Sequence, residues 1–489
     1  MRASIGLDVG TTSVKAVVVA ESGEVVSESA SGPLSMRAPH SGWAVESTSE
    51  LQEAVLGTLR SVCGPLPSSI EVVSLAAAVQ SGSLVTVSRS GVISDDLATW
   101  MDSRSAPLVE QWHSDGTAQL IRDICGWTVQ PGQGLPQLAW SRATKSEDWA
   151  TLGRVASADD LVSHWLTGQW VTNPSNAAGM ALMEIRSGEW SQQLCSLVDL
   201  STTQLSELRP SGAAIGNLSP EVAQTVGLPE SVTVVNGGHD QACTALALDV
   251  AESTKALLAG GTAWVLTTVI QPQSMAEVPS EMNVSFHVAP GLRTASQYLG
   301  GMGASMEWWL SNSRSESSRR DQFAALDAEL ARTVTTDTSP YFRPANIHSG
   351  DHQTPGAGHF ESTSATTSGA DRARSIMEYA AFRVKTTLQN LPTAARPTHL
   401  TVVGGATRSP GWTQLIADLC EIPVTETSIP TLPALGAAVI AGVAAELYPN
   451  YPAATASIAV SSTEIQANKS QSDLYRRRYA LHLQQETQT

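Results

Sequence analysis

Two stretches far apart in the chain repeat one pattern: Ser4–Val19 (Ser-Ile-Gly-Leu-Asp-Val-Gly-Thr-Thr-Ser-Val-Lys-Ala-Val-Val-Val) and Ala256–Val269 (Ala-Leu-Leu-Ala-Gly-Gly-Thr-Ala-Trp-Val-Leu-Thr-Thr-Val). Each is a short apolar run, a Gly-Thr turn and a second β-branched run, which is the pattern of a hairpin rather than a helix. Setting Gly10-Thr11 against Gly261-Thr262 places Asp8 opposite Ala259, so the two halves share a scaffold and only the first keeps a carboxylate. Two such turns facing each other would clamp a polyphosphate.

The chemistry follows from the turn. Glycines let the backbone approach an anion closely, and successive N–H groups with threonine hydroxyls donate to phosphate oxygens. Asp8 then suits a magnesium ion, held directly or through water. Neither a Walker A loop nor a dinucleotide fingerprint fits, because both run from strand into helix and here strand leads back into strand.

A chain of 489 residues exceeds what one hydrophobic core usually organises, so two large domains are expected, and 42% hydrophobic residues supply both cores. The formal charge of −17 argues against nucleic acid and anionic membranes as partners, though not against a nucleotide bound with magnesium. Cys63, Cys125, Cys195, Cys243 and Cys420 are widely spaced and form no Cys-x-x-Cys pair, which fits a reducing cytoplasm. The longest apolar stretch, Ala434–Ala445, is too short to span a bilayer.

Strand-like runs at Ser4–Val9, Val14–Ala20, Val72–Val79 and Leu84–Val87 alternate with helical segments such as Leu51–Val62, an α/β order. The expected division is an N-terminal domain over residues 1–245 with a helical insertion at about 110–204, a C-terminal domain over 246–450, and a partly helical tail over 451–489. A helix is expected over Gln241–Asp249, another over Arg372–Leu391, and a strand over Leu400–Val403. Ser311–Arg320 and Glu361–Gly369 read as polar surface loops, and the basic patch Tyr475-Arg-Arg-Arg-Tyr479 as a solvated helix face.

Val234-Val-Asn-Gly-Gly-His-Asp-Gln-Ala-Cys243 is a buried strand, a double-glycine turn and a helix that starts near Asp240. Asp240 is either the N-cap of that helix or a carboxylate kept ionised by the helix terminus, able to accept a hydroxyl proton; the glycines, which would admit a ligand to the backbone, favour the second reading. Trp100, Asp102 and Arg104 would share one side of an extended segment and offer a polyol an aromatic face and a charged pair. Their alternative is a structural salt bridge. Gln80-Ser-Gly-Ser83, at the end of a strand, could add polar contacts, and the strand-turn-helix segment Val402–Gln414, with Gly404-Gly405, offers glycines on which a flat ring could lie.

In this order the pieces resemble the FGGY carbohydrate kinases, within the superfamily of sugar kinases, chaperone ATPases and actin, and the resemblance covers nearly the whole chain. Asp8-Val-Gly-Thr-Thr-Ser13 is similar to the first phosphate motif, Trp100-Met-Asp-Ser-Arg104 to the substrate motif, Asn236-Gly-Gly-His-Asp240 to the segment bearing the catalytic aspartate, Gly260-Gly-Thr-Ala263 to the second phosphate motif, and Gly404-Gly-Ala-Thr-Arg-Ser409 to the adenosine motif. The resemblance implies two ribonuclease-H-like domains with an interdomain cleft, and ATP with Mg2+ as cofactors. It implies ATP contacts from Gly10, Thr11, Thr12, Ser13, Lys15, Gly261, Thr262, Gly404, Gly405, Ala406 and Ser409, and a metal site at Asp8. The sugar or polyol would meet Gln80, Ser81, Gly82, Trp100, Asp102, Arg104, Asp240 and Gln241, with Asp240 catalytic.

Three features depart from the family pattern: Gln137 replaces the usual lysine, Gln80-Ser-Gly-Ser83 lacks the Met-His of xylulokinases, and Tyr341–Phe360 lacks a common Glu-Arg loop. A pentulose or another small sugar or polyol is the first expectation for the acceptor, without pointing to xylulokinase specifically, and an acceptor of the autoinducer-2 type is an alternative suggested by Gly260-Gly-Thr-Ala-Trp264. The rival functions are a catalytically weak sugar or nucleotide sensor and, last, a chaperone-like ATPase. A homodimer is one possible assembly.

Overall fold

The computed structural model describes residues 1–144, 146–313, 318–333, 335–345 and 356–486. Strands β1 (Arg2–Val9), β2 (Val14–Ala20), β3 (Val25–Ala30), β4 (Glu71–Val79), β5 (Ala214–Asn217) and β6 (Thr233–His239) form one six-stranded sheet in the order β5-β6-β4-β1-β2-β3. Strands β7 (Lys255–Gly260), β8 (Trp264–Ile270), β9 (Asn283–Phe286), β10 (Arg293–Gly300), β11 (His399–Val403), β12 (Val424–Thr427) and β13 (Thr463–Ile465) form a second, in the order β9-β10-β8-β7-β11-β12-β13. In each sheet three antiparallel strands that begin with the hairpin, β1-β2-β3 and β7-β8-β10, are extended by parallel strands on the side of the first one. The fold is thus two copies of one α/β layout, as expected.

Both faces of these strands are covered, which explains why they read as nearly continuous apolar runs. On β2, Val14, Ala16 and Val18 enter the outer core of the first half with α1 (Thr48–Cys63) and α2 (Ala158–Thr167), while Val17 and Val19 face inward. The inward faces of both sheets share one core with α3 (Asp240–Ala247) and, from later in the chain, the helix Leu432–Ala444. That helix is apolar all round, as the burial of nearly its whole length, Ala434–Gly442 included, requires. Its approach is close enough that a Cβ on Gly6 would lie 1.8 Å from the Ala434 carbonyl oxygen, and one on Gly436 2.0 Å from that of Cys243.

The second sheet's outer side carries α4 (Met302–Ser313), α5 (Gly369–Asn390) and α6 (Pro410–Cys420), followed in the chain by the inner helix Leu432–Ala444, α7. Serine caps begin several helices, including the Ser368/Asp371 capping box of α5. The region at 110–204 is largely helical, with a small core of its own, and all five cysteines are free. No helix is long and apolar enough to cross a membrane among the described residues.

Three expectations change. The segment read as a tail adds strand β13 to the second sheet and ends in α8 (Lys469–Glu486), which packs on α6. Its basic patch is not simply a solvated face: Arg476 and Arg477 are exposed, but Arg478 is fully buried, held by Glu378 (Nη2–Oε2 2.6 Å) and by the carbonyls of Thr336, Ser339 and Pro340. Glu378 and the three carbonyls lie about a hundred residues or more away in the chain, beyond any spacing signal. The loop expected at Ser311–Arg320 is also shorter, since residues 311–313 end α4 and 319–320 begin the helix Arg319–Leu330; residues 314–317, and 346–355 of the Tyr341–Phe360 segment, lie outside the described residues. Glu361–Gly369 does connect a strand to α5.

Candidate active site

Antiparallel register sets Asp8 directly across from Lys15, and the side chains meet with Lys15 Nζ 3.1 Å from Asp8 Oδ2. Asp8 is 4% exposed, and burial pushes its carboxyl up to about 6; the Lys15 ammonium pulls it down and the charge of Asp240 pushes it further up. Asp240, just past the end of β6, two strands from β1 in the same sheet, therefore lies within electrostatic reach of the first hairpin. The turn between β1 and β2, Gly10, Thr11, Thr12 and Ser13, is half-buried with Thr12 exposed, and a Cβ on Gly10 would meet nothing closer than 3.7 Å.

In the second hairpin Ala259 pairs with Val265 and Gly260 with Trp264, leaving Gly261, Thr262 and Ala263 as the exposed turn. This turn is braced from behind. A Cβ on Gly303, at the start of α4, would come 2.2 Å from the Gly261 carbonyl oxygen, and one on Gly260 would lie 2.7 Å from the Ala406 Cβ. Gly404 has φ +88°, a left-handed value that favours glycine, and abuts Gly260 and Gly261. The structure thus brings Gly261 and Thr262 together with Gly404, Gly405 and Ala406. Ser409 departs from the expectation: it is buried and its hydroxyl donates to Asp327 at 2.6 Å, tying α6 to the helix Arg319–Leu330.

Asp240 is the first residue of α3, with His239 as the N-cap residue. Its side-chain contacts among the described residues fall on Oδ1, which accepts the Gln241 N–H at 2.6 Å and lies 3.0 Å from His239 Nε2. About a third of the side chain is exposed. The glycines before it serve packing rather than ligand approach: a Cβ on Gly237 would sit 1.8 Å from the Ala77 carbonyl oxygen and one on Gly238 2.2 Å from Val288. They accompany a register shift between Val235 and Gly238 against β4 that delivers the strand end to the helix.

Around the substrate motif the backbone turns after Thr99, so the extended spacing expected there does not hold. Trp100 remains 47% exposed, whereas Asp102 is buried and grips Arg104 with both oxygens (Nε–Oδ1 2.8 Å, Nη2–Oδ2 2.6 Å) while accepting the Ala44 N–H. The structural salt bridge is therefore real. It stands against Trp43, which sequence reasoning missed: the Arg104 guanidinium lies 3.5 Å from its ring centroid, with Trp140 on the same cation at 5.3 Å.

The remaining polar residues there are engaged inward. Gln80 donates to Glu46 (2.8 Å) and accepts from Ser83 (3.0 Å), and Ser81 Oγ donates to the Asn176 carbonyl (3.0 Å). Burial pushes the Glu46 carboxyl up to about 7. Gly82, at φ +84°, faces Trp100 and the carbonyls of Gly132 and Gly179. Gln137, standing where the family pattern has lysine, donates to the carbonyls of Thr99 (3.2 Å) and Gly132 (2.8 Å) and so braces the Trp100 loop.

Two like-built halves, each offering a hairpin turn, with a helix-borne carboxylate near the first, define a phosphotransferase of the two-domain actin-ATPase type. The comparisons with known proteins specify the family: the N-terminal domain of the FGGY family of carbohydrate kinases matches residues 3–247 and the C-terminal domain residues 257–445. The chain belongs to this family, and is accordingly a carbohydrate kinase that transfers a phosphoryl group from ATP to a sugar hydroxyl. It is 27% identical over 449 residues to the xylulose kinase of Klebsiella pneumoniae (90% of this chain, 89% of that one) and 24% identical over 367 residues to the autoinducer-2 kinase of Yersinia pestis (71% and 67%). In fold it is similar to the ligand-bound xylulose kinase of Lactobacillus acidophilus (TM-score 0.89, 18% identity, 100% and 98% covered) and to the glycerol kinase of Plasmodium falciparum (0.86, 15%, 99% and 98%).

Proposed function

We propose that Asp240 is the general base of this kinase and that the acceptor is a neutral, pentulose-type sugar. The observation that carries the first part is that Asp240 heads α3 with its side-chain contacts among the described residues on Oδ1, leaving Oδ2 to take a hydroxyl proton. Transfer then needs in-line placement and donors around the phosphoryl oxygens, which the turns Gly10–Ser13 and Gly261–Thr262 provide from their backbone N–H groups and hydroxyls. The base draws off the proton as the acceptor oxygen attacks, and the interdomain cleft excludes water that would otherwise compete.

Two nearby carboxylates, one held up to about 6 partly by the other, form a place that favours a cation. Asp8, joined by ATP phosphates, fits Mg2+, which would neutralise charge building on the transferring group. Lys15, the present partner of Asp8, is then released to the phosphates. Gly404, Gly405 and Ala406 would carry the adenosine.

Neutrality of the acceptor rests on Arg104: the motif's one cation is already matched by both oxygens of Asp102, so it stacks on Trp43 rather than calling for a sugar acid. Trp100 offers its exposed face to the apolar side of a sugar. The Gly260-Gly-Thr-Ala-Trp264 segment and the likeness to the autoinducer-2 kinase of Yersinia pestis support a second reading, an acceptor of the kind named for those kinases. A coupled ADP-release assay over ketopentoses, polyols, sugar acids and the autoinducer-2 precursor decides between them; sugar acids turning over faster than every neutral sugar would sink the neutral-acceptor reading.

A further inference from the structure

Beneath the catalytic turn runs a line of buried side chains to which no role has yet been given. It starts at Asp159 in α2, 3% exposed, whose Oδ2 accepts from Thr172 Oγ1 at 2.9 Å and from Asn173 Nδ2 at 3.0 Å. Asn173 uses its side-chain oxygen to accept from Ser175 Oγ at 2.5 Å and from the Asn176 N–H at 3.0 Å. Ser175 Oγ in turn accepts the backbone N–H of His239 at 2.9 Å, one residue before Asp240. Each hydroxyl and amide donor named here has an acceptor, and a buried chain of such bonds holds geometry tightly; the buried side-chain amide of Asn176, at its end, has no hydrogen-bond partner among the described residues.

The same segment is tied to the site at two more points. Asn236 Nδ2 donates to the Thr172 carbonyl at 3.0 Å, which anchors β6 just upstream of the turn, and Ser81 Oγ donates to the Asn176 carbonyl at 3.0 Å. Gly238 makes the approach feasible, since a Cβ there would stand only 3.1 Å from Ser175 Oγ. Residues 172–176 therefore form a crossbeam between the end of the substrate strand and the residue that heads α3.

We propose that Asn173 and Ser175, anchored on Asp159, are positioning residues for phosphoryl transfer: they fix the His239 peptide, and through it the carboxylate of Asp240, relative to Ser81. The proposal rests on the reading of Asp240 as the base. Ser175→Ala removes the acceptor of the His239 N–H; kcat is expected to fall about 10- to 100-fold while KM for sugar and for ATP stays within about threefold, because only the alignment of the base is lost. Amide exchange at His239 and Asp240 should accelerate in the same variant.

Asn173→Asp sets two carboxylates against each other in a buried place and should lower kcat at least as far. Adding Asp159→Asn puts a donor opposite an acceptor again, with the sense reversed, and should restore kcat to within about threefold of the unmodified protein. Unchanged kcat in Ser175→Ala, or a double variant no better than Asn173→Asp alone, overturns the proposal. If the unmodified protein turns over no sugar, the functional reading fails instead, and exchange still decides this one: an unaltered rate at His239 in Ser175→Ala overturns it.

Discussion

The two hairpins share a layout and differ in what stands behind them. The first carries a charged cross-strand pair, Asp8 with Lys15, and its turn glycine has open space around it. The second carries Ala259 opposite Val265, and its glycines are packed against Ala406, Gly404 and Gly303, with Trp264 buried against Trp412 at 5.0 Å. The first turn thus sits beside a charged pair, while the second, more exposed, follows an apolar strand end that is braced from behind. The fold repeats one hairpin with charge kept at the first copy and close packing at the second; in the proposed mechanism the first would supply the chemistry and the second the placement.

The largest effect that would break this division is at the carboxylate beside the first hairpin. Asp240→Asn keeps shape but cannot take a proton, so kcat should drop about 10²- to 10⁴-fold with sugar affinity within about tenfold, read by turnover and calorimetric titration. Asp8→Ala follows, with a loss of about 10²-fold and an altered magnesium requirement in a metal titration; an unchanged requirement removes Asp8 from the metal.

Acidity sharpens the contrast, because Ala259 has nothing to titrate where Asp8 does. With the metal-free midpoint of Asp8 near 6, protons should compete with the cation, so the magnesium concentration for half-maximal turnover should rise about tenfold between pH 7 and pH 5. Stability moves the other way. With its folded value above the ordinary 3.8, the group binds its proton more tightly in the folded chain, so its contribution is most favourable below pH 4 and declines, by no more than about 3 kcal/mol, as pH rises through 6. Unfolding curves of the protein and of Asp8→Asn across pH 4–8 check the sign.

The smallest effects compare a strand-end glycine of the second hairpin with the turn glycine of the first. Gly260→Ala should cost about 1–3 kcal/mol of stability, since its Cβ is driven onto Ala406. Gly10→Ala should leave the melting temperature unchanged and raise only KM for ATP, by several-fold. Equal melting shifts in the two variants would erase the distinction between an open turn glycine and a braced strand end.

Much of this protein was legible in the chain because it is local. β-branched runs around Gly-Thr turns dictated both hairpins, and the strand-glycine-helix sequence before Asp240 placed that residue at the start of a helix, where it is found. Only tertiary structure decided the partners. Gly237 and Gly238 are small because Ala77 and Val288 press on them, Ser409 bonds Asp327 rather than lying open, Arg104 rests on Trp43, and Ser175 holds His239. These contacts join residues far apart in the chain, and distance in sequence erases the spacing by which a helix, strand or turn announces itself; the fold alone brings such residues to within a hydrogen bond.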